Sequence, residues 1–205
     1  MVDGIVRPHD LLWIADDAEL YRELQPAWAR DALRRMPVVV VRRAEAPPGF
    51  VAVGIRGARR ELRFAALVKL RDVRNLRSPE SLASERSWCE NFAVIPERLR
   101  AALALFDELS KREKFVWGPV GSVGYQLATG LRVTTIESDV DVVIRCEVPP
   151  NRLLLSAVSD TARKSTARLD VILEGPPGAV ALEELHSHDV LLKTSRGPRM
   201  AAFTW

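Results

Sequence analysis

The run Ser138-Asp139-Val140-Asp141-Val142-Val143-Ile144 sets two carboxylates one residue apart in an otherwise apolar, β-branched stretch. Such a stretch is predicted to be a strand, on which alternate side chains leave the same face with Cα atoms about 7 Å apart. Asp139 and Asp141 can therefore reach one cation together, while Val140 and Val142 point the other way into a core. Carboxylate oxygens arranged like this suit a hard divalent ion, Mg²⁺ or Mn²⁺, better than zinc. A third acid, Asp170, interrupts the apolar stretch Leu169-Asp170-Val171-Ile172-Leu173. A carboxylate buried there needs a counter-charge, supplied by the same metal site or by an ion pair with Arg168 or Arg145. Upstream, Gly121-Ser122 opens a helical stretch, where backbone N–H groups and the Ser122 hydroxyl can hold phosphate oxygens. Acids for a metal and a Gly-Ser turn for phosphate together point to metal-assisted transfer of a phosphoryl-type group.

Other readings of these residues fit less well. Asp139 and Asp141 alone could be an exposed pair at a strand edge. Gly118, Gly121 and Gly124 followed by Glu137 evoke a dinucleotide loop, but the spacing differs and the helix after it ends early at Gly130. A nucleotide-binding loop of the ATPase kind would need a lysine that is absent. His186 and His188 have no Cys or third His at a ligand spacing, so they are read as surface or structural groups. Lys193 and Arg199, on the two arms of a predicted hairpin, are further candidates for phosphate contacts, with plain surface charge as the alternative.

The surrounding elements must carry these groups. Strands are predicted at Leu11–Ile14, Val38–Arg42, Phe50–Arg56 and Leu62–Leu70, with a helix from Ala18 to Met36. A charged, Ser-containing loop follows, and a domain boundary is placed near Ser84. Beyond it, Leu99, Leu103, Phe106 and Leu109 recur at helical spacing from Pro96 to Lys111, with Arg98, Asp107 and Lys111 expected to face solvent. Lys114–Trp117 reads as a short strand, Gly118–Gly124 as a tight loop and Tyr125–Thr129 as a helix. Then come a strand at Val140–Cys146, a helix at Asn151–Lys164, a strand at Arg168–Glu174, a helix near Ala179–His186 and a hairpin of Val190–Lys193 with Arg199–Phe203. The chain is thus expected to be mixed α/β (α+β), with a smaller N-terminal α/β domain over 1–84 and the acid-bearing mixed sheet with helices over 85–205.

With 47% hydrophobic and 28% charged residues, the 205-residue chain can bury a core. No stretch reaches the roughly 18 apolar residues of a membrane span, and Met1-Val2-Asp3-Gly4 does not open a signal peptide, so a cytoplasmic protein without membrane partners is expected. Cys89 and Cys146 are read as unpaired thiols. Positive charge concentrates at Arg56, Arg59, Arg60, Arg63, Lys69, Arg71, Arg74 and Arg77, against Glu61 and Asp72. This is a solvated face, or a site for phosphates or an acidic partner. Nucleic acid is not favoured, because no aromatic side chains are interleaved with these charges.

Gly118-Pro119-Val120-Gly121-Ser122 through Ser138-Asp139-Val140-Asp141 resembles the phosphoribosyl-dephospho-coenzyme A transferase of malonate decarboxylase, its holo-acyl-carrier-protein synthase, within the nucleotidyltransferase superfamily. The resemblance extends to Arg7-Pro8-His9-Asp10-Leu11-Leu12-Trp13, Gly54-Ile55-Arg56-Gly57, Trp117-Gly118-Pro119, Leu191-Leu192-Lys193-Thr194 and Gly197-Pro198-Arg199. The interval between Ser122 and Asp139 is longer than the commonest superfamily pattern. The resemblance implies a nucleotidyltransferase-type C-terminal sheet, a divalent ion on the Asp139 and Asp141 pair, and a triphosphoribosyl-dephospho-CoA substrate. It also implies transfer of the prosthetic group to a serine of the apo acyl carrier subunit, with release of pyrophosphate. The rival activities are nucleotidyl transfer to another acceptor, or a non-catalytic module of the same fold.

Overall fold

The computed structural model describes residues 6–21, 25–59, 61–86, 88–89, 95–187 and 189–202. They divide into two units, Met1–Ser78 and Pro79–Trp205. Arg60, His188 and Phe203 lie outside the described residues.

Among the described residues the first unit contains β1 (Leu11–Ile14), β2 (Leu20–Tyr21), α1 (Ala27–Arg35), β3 (Val38–Val41), β4 (Phe50–Arg56), β5 (Arg63–Lys69) and β6 (Val73–Arg77). They form one antiparallel sheet in the order β2-β5-β4-β3-β1-β6. Alternation puts Leu12, Ile14, Val39, Val41, Val51, Val53 and Ile55 into a shared core with Ala29 of α1. The predicted helix from Ala18 to Met36 is corrected. Proline lacks the N–H for a helix interior and disfavours helical backbone just before it, so α1 begins after Pro26, while Leu20 and Tyr21 pair with Val68 and Leu67 at the sheet edge. Strand β6, within the expected loop, pairs with β1.

The second unit begins with α2 (Pro79–Glu85), so the division falls at Ser78 rather than near Ser84. Ser78-Pro79-Glu80 carries a helix-start composition: a capping residue, proline at the first position and an acid in the first turn. There follow α3 (Glu97–Glu113), β7 (Trp117–Pro119), α4 (Gly121–Thr129), β8 (Val140–Arg145), α5 (Arg152–Lys164), β9 (Leu169–Gly175), β10 (Gly178–Ala181), a 3₁₀ turn (Leu182–His186), β11 (Asp189–Thr194) and β12 (Gly197–Ala202). The strands line up as β12-β11-β10-β9-β8-β7. β8 and β9 run parallel, joined through α5; the other neighbours are antiparallel. One face, with Val140, Val142, Ile144, Leu169, Val171 and Leu173, packs into a core with Leu99, Leu103 and Phe106 of α3 and Val158 of α5.

Several local expectations change for identifiable reasons. Lys114 closes α3 in the left-handed region (φ 56), so the strand starts later, at Trp117, whose ring lies 4.9 Å from Phe106 and 5.8 Å from Trp88. Pro119 is tolerated in β7 because β7 is an edge strand. The helix expected over Ala179–His186 is a strand followed by a 3₁₀ turn: Gly175 and Gly178 face each other across Pro176-Pro177 and close a β9–β10 hairpin. Asp107 does not face solvent: it is 6% exposed, and its carboxylate meets Arg86 and Lys111, each at 2.9 Å. Both neighbours are cations, and Asp107 holds the Lys111 ammonium above its usual range.

Candidate functional site

Asp141 and Asp170 are direct partners across the parallel β8–β9 pair, so both carboxylates leave the sheet on the face opposite the α3–α5 core. Both are half-buried. Asp139 immediately precedes β8 and is also half-buried. Arg168 joins Asp170 to Glu183: its Nε lies 2.8 Å from Asp170 Oδ1 and its Nη2 3.9 Å from Glu183. Asp170 most of all, then Glu183 and Asp139, raises the proton affinity of that exposed guanidinium. Of the two partners considered for Asp170, Arg168 is the one found. Arg145 instead sits between Glu80 and Glu174, 2.7 Å from each.

The Gly-Ser turn meets the acids directly. The helix α4 starts at Gly121, with Val120, whose side chain makes no cap hydrogen bond, at its N-cap, and the Val120 N–H donates to the Asp141 carbonyl at 2.9 Å. Gly121 has φ +63, and a Cβ built on it would lie 2.0 Å from Asp141 Oδ2. Glycine is required there twice over, by the left-handed backbone and by the carboxylate packed against its Cα. Ser122 follows, half-buried, in the first turn of the helix. Gly118 makes a second close approach: a Cβ there would lie 2.0 Å from the Pro79 carbonyl oxygen, so α2 rests directly on β7.

The donor set is carboxylate oxygen around a glycine cradle, which fits a hard divalent ion. Among the described residues no three His, Cys, Asp or Glu side chains form a ready metal cage. Magnesium is ordinarily held by one or two carboxylates together with substrate phosphates, a use for which Asp139 and Asp141 suffice.

Lys193 and Arg199 are not gathered with the acids. Lys193 stands opposite Ala179, and Ala179 opposite Glu174, which is about 13 Å along β9 from Asp170. Arg199 pairs with Leu192, the neighbour of Lys193, so it projects from the other face. Both are exposed. The basic residues of the first unit are also dispersed. Arg56 and Arg63 face each other across β4 and β5, while Arg59 and Arg71 lie beyond opposite ends of β5, about 20 Å apart.

No helix among the described residues is long and apolar enough to cross a membrane. No solved structure matches the chain. Residues 81–203 match the family described as the phosphoribosyl-dephospho-CoA transferase MdcG C-terminal domain, and residues 7–79 match the corresponding N-terminal domain. The chain is 39% identical to a phosphoribosyl-dephospho-CoA transferase of Pseudomonas putida over 97% of its own length and 95% of that protein. It is 38% identical to one of Azotobacter vinelandii, over 97% and 94% of the two chains, and 36% identical to one of Klebsiella pneumoniae, over 97% and 96%. With a site that juxtaposes paired aspartates and a Gly-Ser helix start, and with likeness along nearly its whole length, the chain belongs to the MdcG family of phosphoribosyl-dephospho-CoA transferases.

Proposed function

We propose that the protein transfers the phosphoribosyl-dephospho-CoA group from 2'-(5''-triphosphoribosyl)-3'-dephospho-CoA to a serine of the apo acyl carrier subunit of malonate decarboxylase. The serine oxygen forms a new bond to the α-phosphorus, the α–β phosphoanhydride bond breaks, and pyrophosphate leaves. The observation that supports this most is the packing of Asp141 against Gly121 and beside Asp170, which puts two acids and the start of a helix at one place.

In this reading Asp139 and Asp141 hold Mg²⁺ or Mn²⁺, whose contribution when bound is to neutralise charge on the reacting phosphates. Gly121 and Ser122 present N–H groups and a hydroxyl to the pyrophosphate end. Asp170 stands beside Asp141, where it can accept the serine proton, with Arg168 orienting it. Positioning and electrostatics supply the rate. Lys193, on the face of Asp170, is assigned to the triphosphate where the substrate extends along the sheet toward β11, and Arg199, on the other face, is not. The arginines of the first unit are assigned to docking of an acidic carrier.

Intact mass of the apo carrier subunit after incubation with the precursor, Mg²⁺ and this protein tests the reading. A mass gain equal to the prosthetic group, with one pyrophosphate released per carrier, is expected. An unmodified carrier under these conditions, with an authentic family member active alongside, would overturn it. For docking, added salt is expected to raise the carrier KM more than the precursor KM, because steering between exposed charges is screened over about 8 Å. Since Arg59 and Arg71 are well separated, Arg59→Glu and Arg71→Glu are expected to act additively. A rise in the precursor KM alone would move these arginines to the substrate.

A further inference from the structure

Asp139 is delivered by residues 130–139, a stretch with no helix or strand of its own. Free backbone of that length has conformational entropy to lose before a carboxylate at its end is held in place. Besides local bonds from Thr129, Thr135 and Ser138, the side chains of Gln126 and Arg98 hold it. Gln126 of α4 is 1% exposed. Its Oε1 accepts from the Val133 N–H, the Thr134 N–H and the Thr134 hydroxyl, each at 2.9 Å. Arg98, in the first turn of α3, donates from Nη2 to the Ser138 carbonyl at 2.8 Å and from Nε to the Ile136 carbonyl.

Arg98 also reaches the second acid-bearing strand. Its own carbonyl accepts from the Thr166 hydroxyl at 2.9 Å, just before β9. The Val140 N–H donates to the Arg168 carbonyl at 2.9 Å, so the starts of β8 and β9 are tied to each other as well. The segments leading to Asp139 and to Asp170 therefore converge on one arginine. This is not the solvent-facing role that helical periodicity predicts for Arg98, which is half-buried.

We propose that Arg98 and Gln126 are positioning residues for the transfer reaction, holding the 130–139 loop so that Asp139 stays in place beside Asp141 and Asp170. The proposal rests on the function assigned above to Asp139. Neither side chain needs to touch substrate: Gln126 saturates a buried acceptor with loop donors, and Arg98 spans two loop carbonyls with the fork geometry of its guanidinium.

The test uses full-length Gln126→Leu, Gln126→Glu, Arg98→Ala and Arg98→Lys, with Asp139→Asn as reference, in the carrier-modification assay. Gln126→Leu and Arg98→Ala are expected to lower kcat roughly 10- to 100-fold while leaving the precursor KM within about 3-fold, the scale of a small misplacement at a reacting centre. Gln126→Glu keeps the acceptor and Arg98→Lys keeps a donor, so each is expected to recover most of the lost rate. Amide exchange at Val133 and Thr134 is expected to quicken in Gln126→Leu while β8 and β9 stay protected. Unchanged kcat in both disruptive variants, with Asp139→Asn inactive, would overturn the positioning role and leave the site standing. An active Asp139→Asn would instead remove the reading on which the role rests. If Gln126→Leu fails to fold, the Arg98 pair decides: a rate loss restored by lysine supports the role, and an equal loss in both variants without a change in loop exchange overturns it.

Discussion

Asp141 and Asp170 are level with each other on neighbouring parallel strands, and a single arginine, Arg168, is paired with the second of them. Acids this close repel unless cations share the space, and Arg168 is one such cation. Asparagine keeps the shape of an aspartate but is a poor ligand for Mg²⁺. Asp139→Asn and Asp141→Asn are therefore each expected to lower transfer on the order of 10³-fold or more, with circular dichroism and Tm close to the parent. Near-normal turnover in either variant would reject the metal assignment.

Gly121→Ala is expected to harm activity more than stability. The added methyl group would collide with Asp141 Oδ2, the free end of a side chain that can rotate away, so the carboxylate would leave its place. The left-handed φ of +63 adds about 1–2 kcal/mol of backbone cost for alanine. Urea denaturation in a double-mutant cycle with Asp141→Ala is expected to show a smaller penalty without the carboxylate than with it. Equal penalties in the two backgrounds would mean that Gly121 does not sense Asp141.

Arg145 holds Glu80 of α2 and Glu174 of β9 with side-chain exposures of 9%, 16% and 9% respectively. Removing the cation would leave two carboxylates together in a poorly solvated place. Arg145→Met is expected to cost about 3–5 kcal/mol in urea denaturation at pH 7, and adding Glu80→Gln and Glu174→Gln should recover part of that loss. A change below about 1 kcal/mol would show that the triad is solvated enough to be replaceable.

The two cysteines give a chemical probe of the second unit. Cys146 is buried and its thiol is pushed up to about 11, by burial, whereas Cys89 is exposed. Thiol reagents at pH 8 are expected to modify Cys89 quickly and Cys146 only when the unit opens. Unfolding returns Cys146 to its ordinary value of 9.0, so between pH 9 and about 11 the unfolded chain loses its proton first and stability falls as pH rises. Rapid labelling of both thiols in the native protein would contradict this burial.

Much of the second unit is legible from residue order because its strands announce themselves by period. Val140, Val142 and Ile144 alternate with Asp141, Val143 and Arg145, and the same rule exposes Asp170 as an acid among apolar neighbours. What periodicity lacks is partnership between distant segments. Nothing local reveals that Asp170 pairs with Asp141, that Gly121 lies against the Asp141 carboxylate, or that Arg98 bends from its helix to the 136–138 carbonyls. Glutamine at 126 looks unremarkable in sequence, since its role depends on a loop that folds back over it. Lys193 and Arg199 look close to the site only if the last hairpin is imagined beside β8, whereas β9 and β10 intervene. Prolines mislead and inform by turns: Pro26 stops the long helix that the pattern suggests, while Pro79 marks the short one that charge obscures.

The strands β7 to β12 lie side by side in the order in which a ribosome makes them. Each can therefore add to an edge already formed, without waiting for later sequence to insert between earlier pieces. β8 and β9 are consecutive and joined through α5, so the register that sets Asp141 beside Asp170 needs no strand inserted from later sequence. The acid-bearing strands thus lie next to one edge of the sheet, and the terminal hairpin, with Leu191 and Met200 exposed on it, extends the sheet at the other.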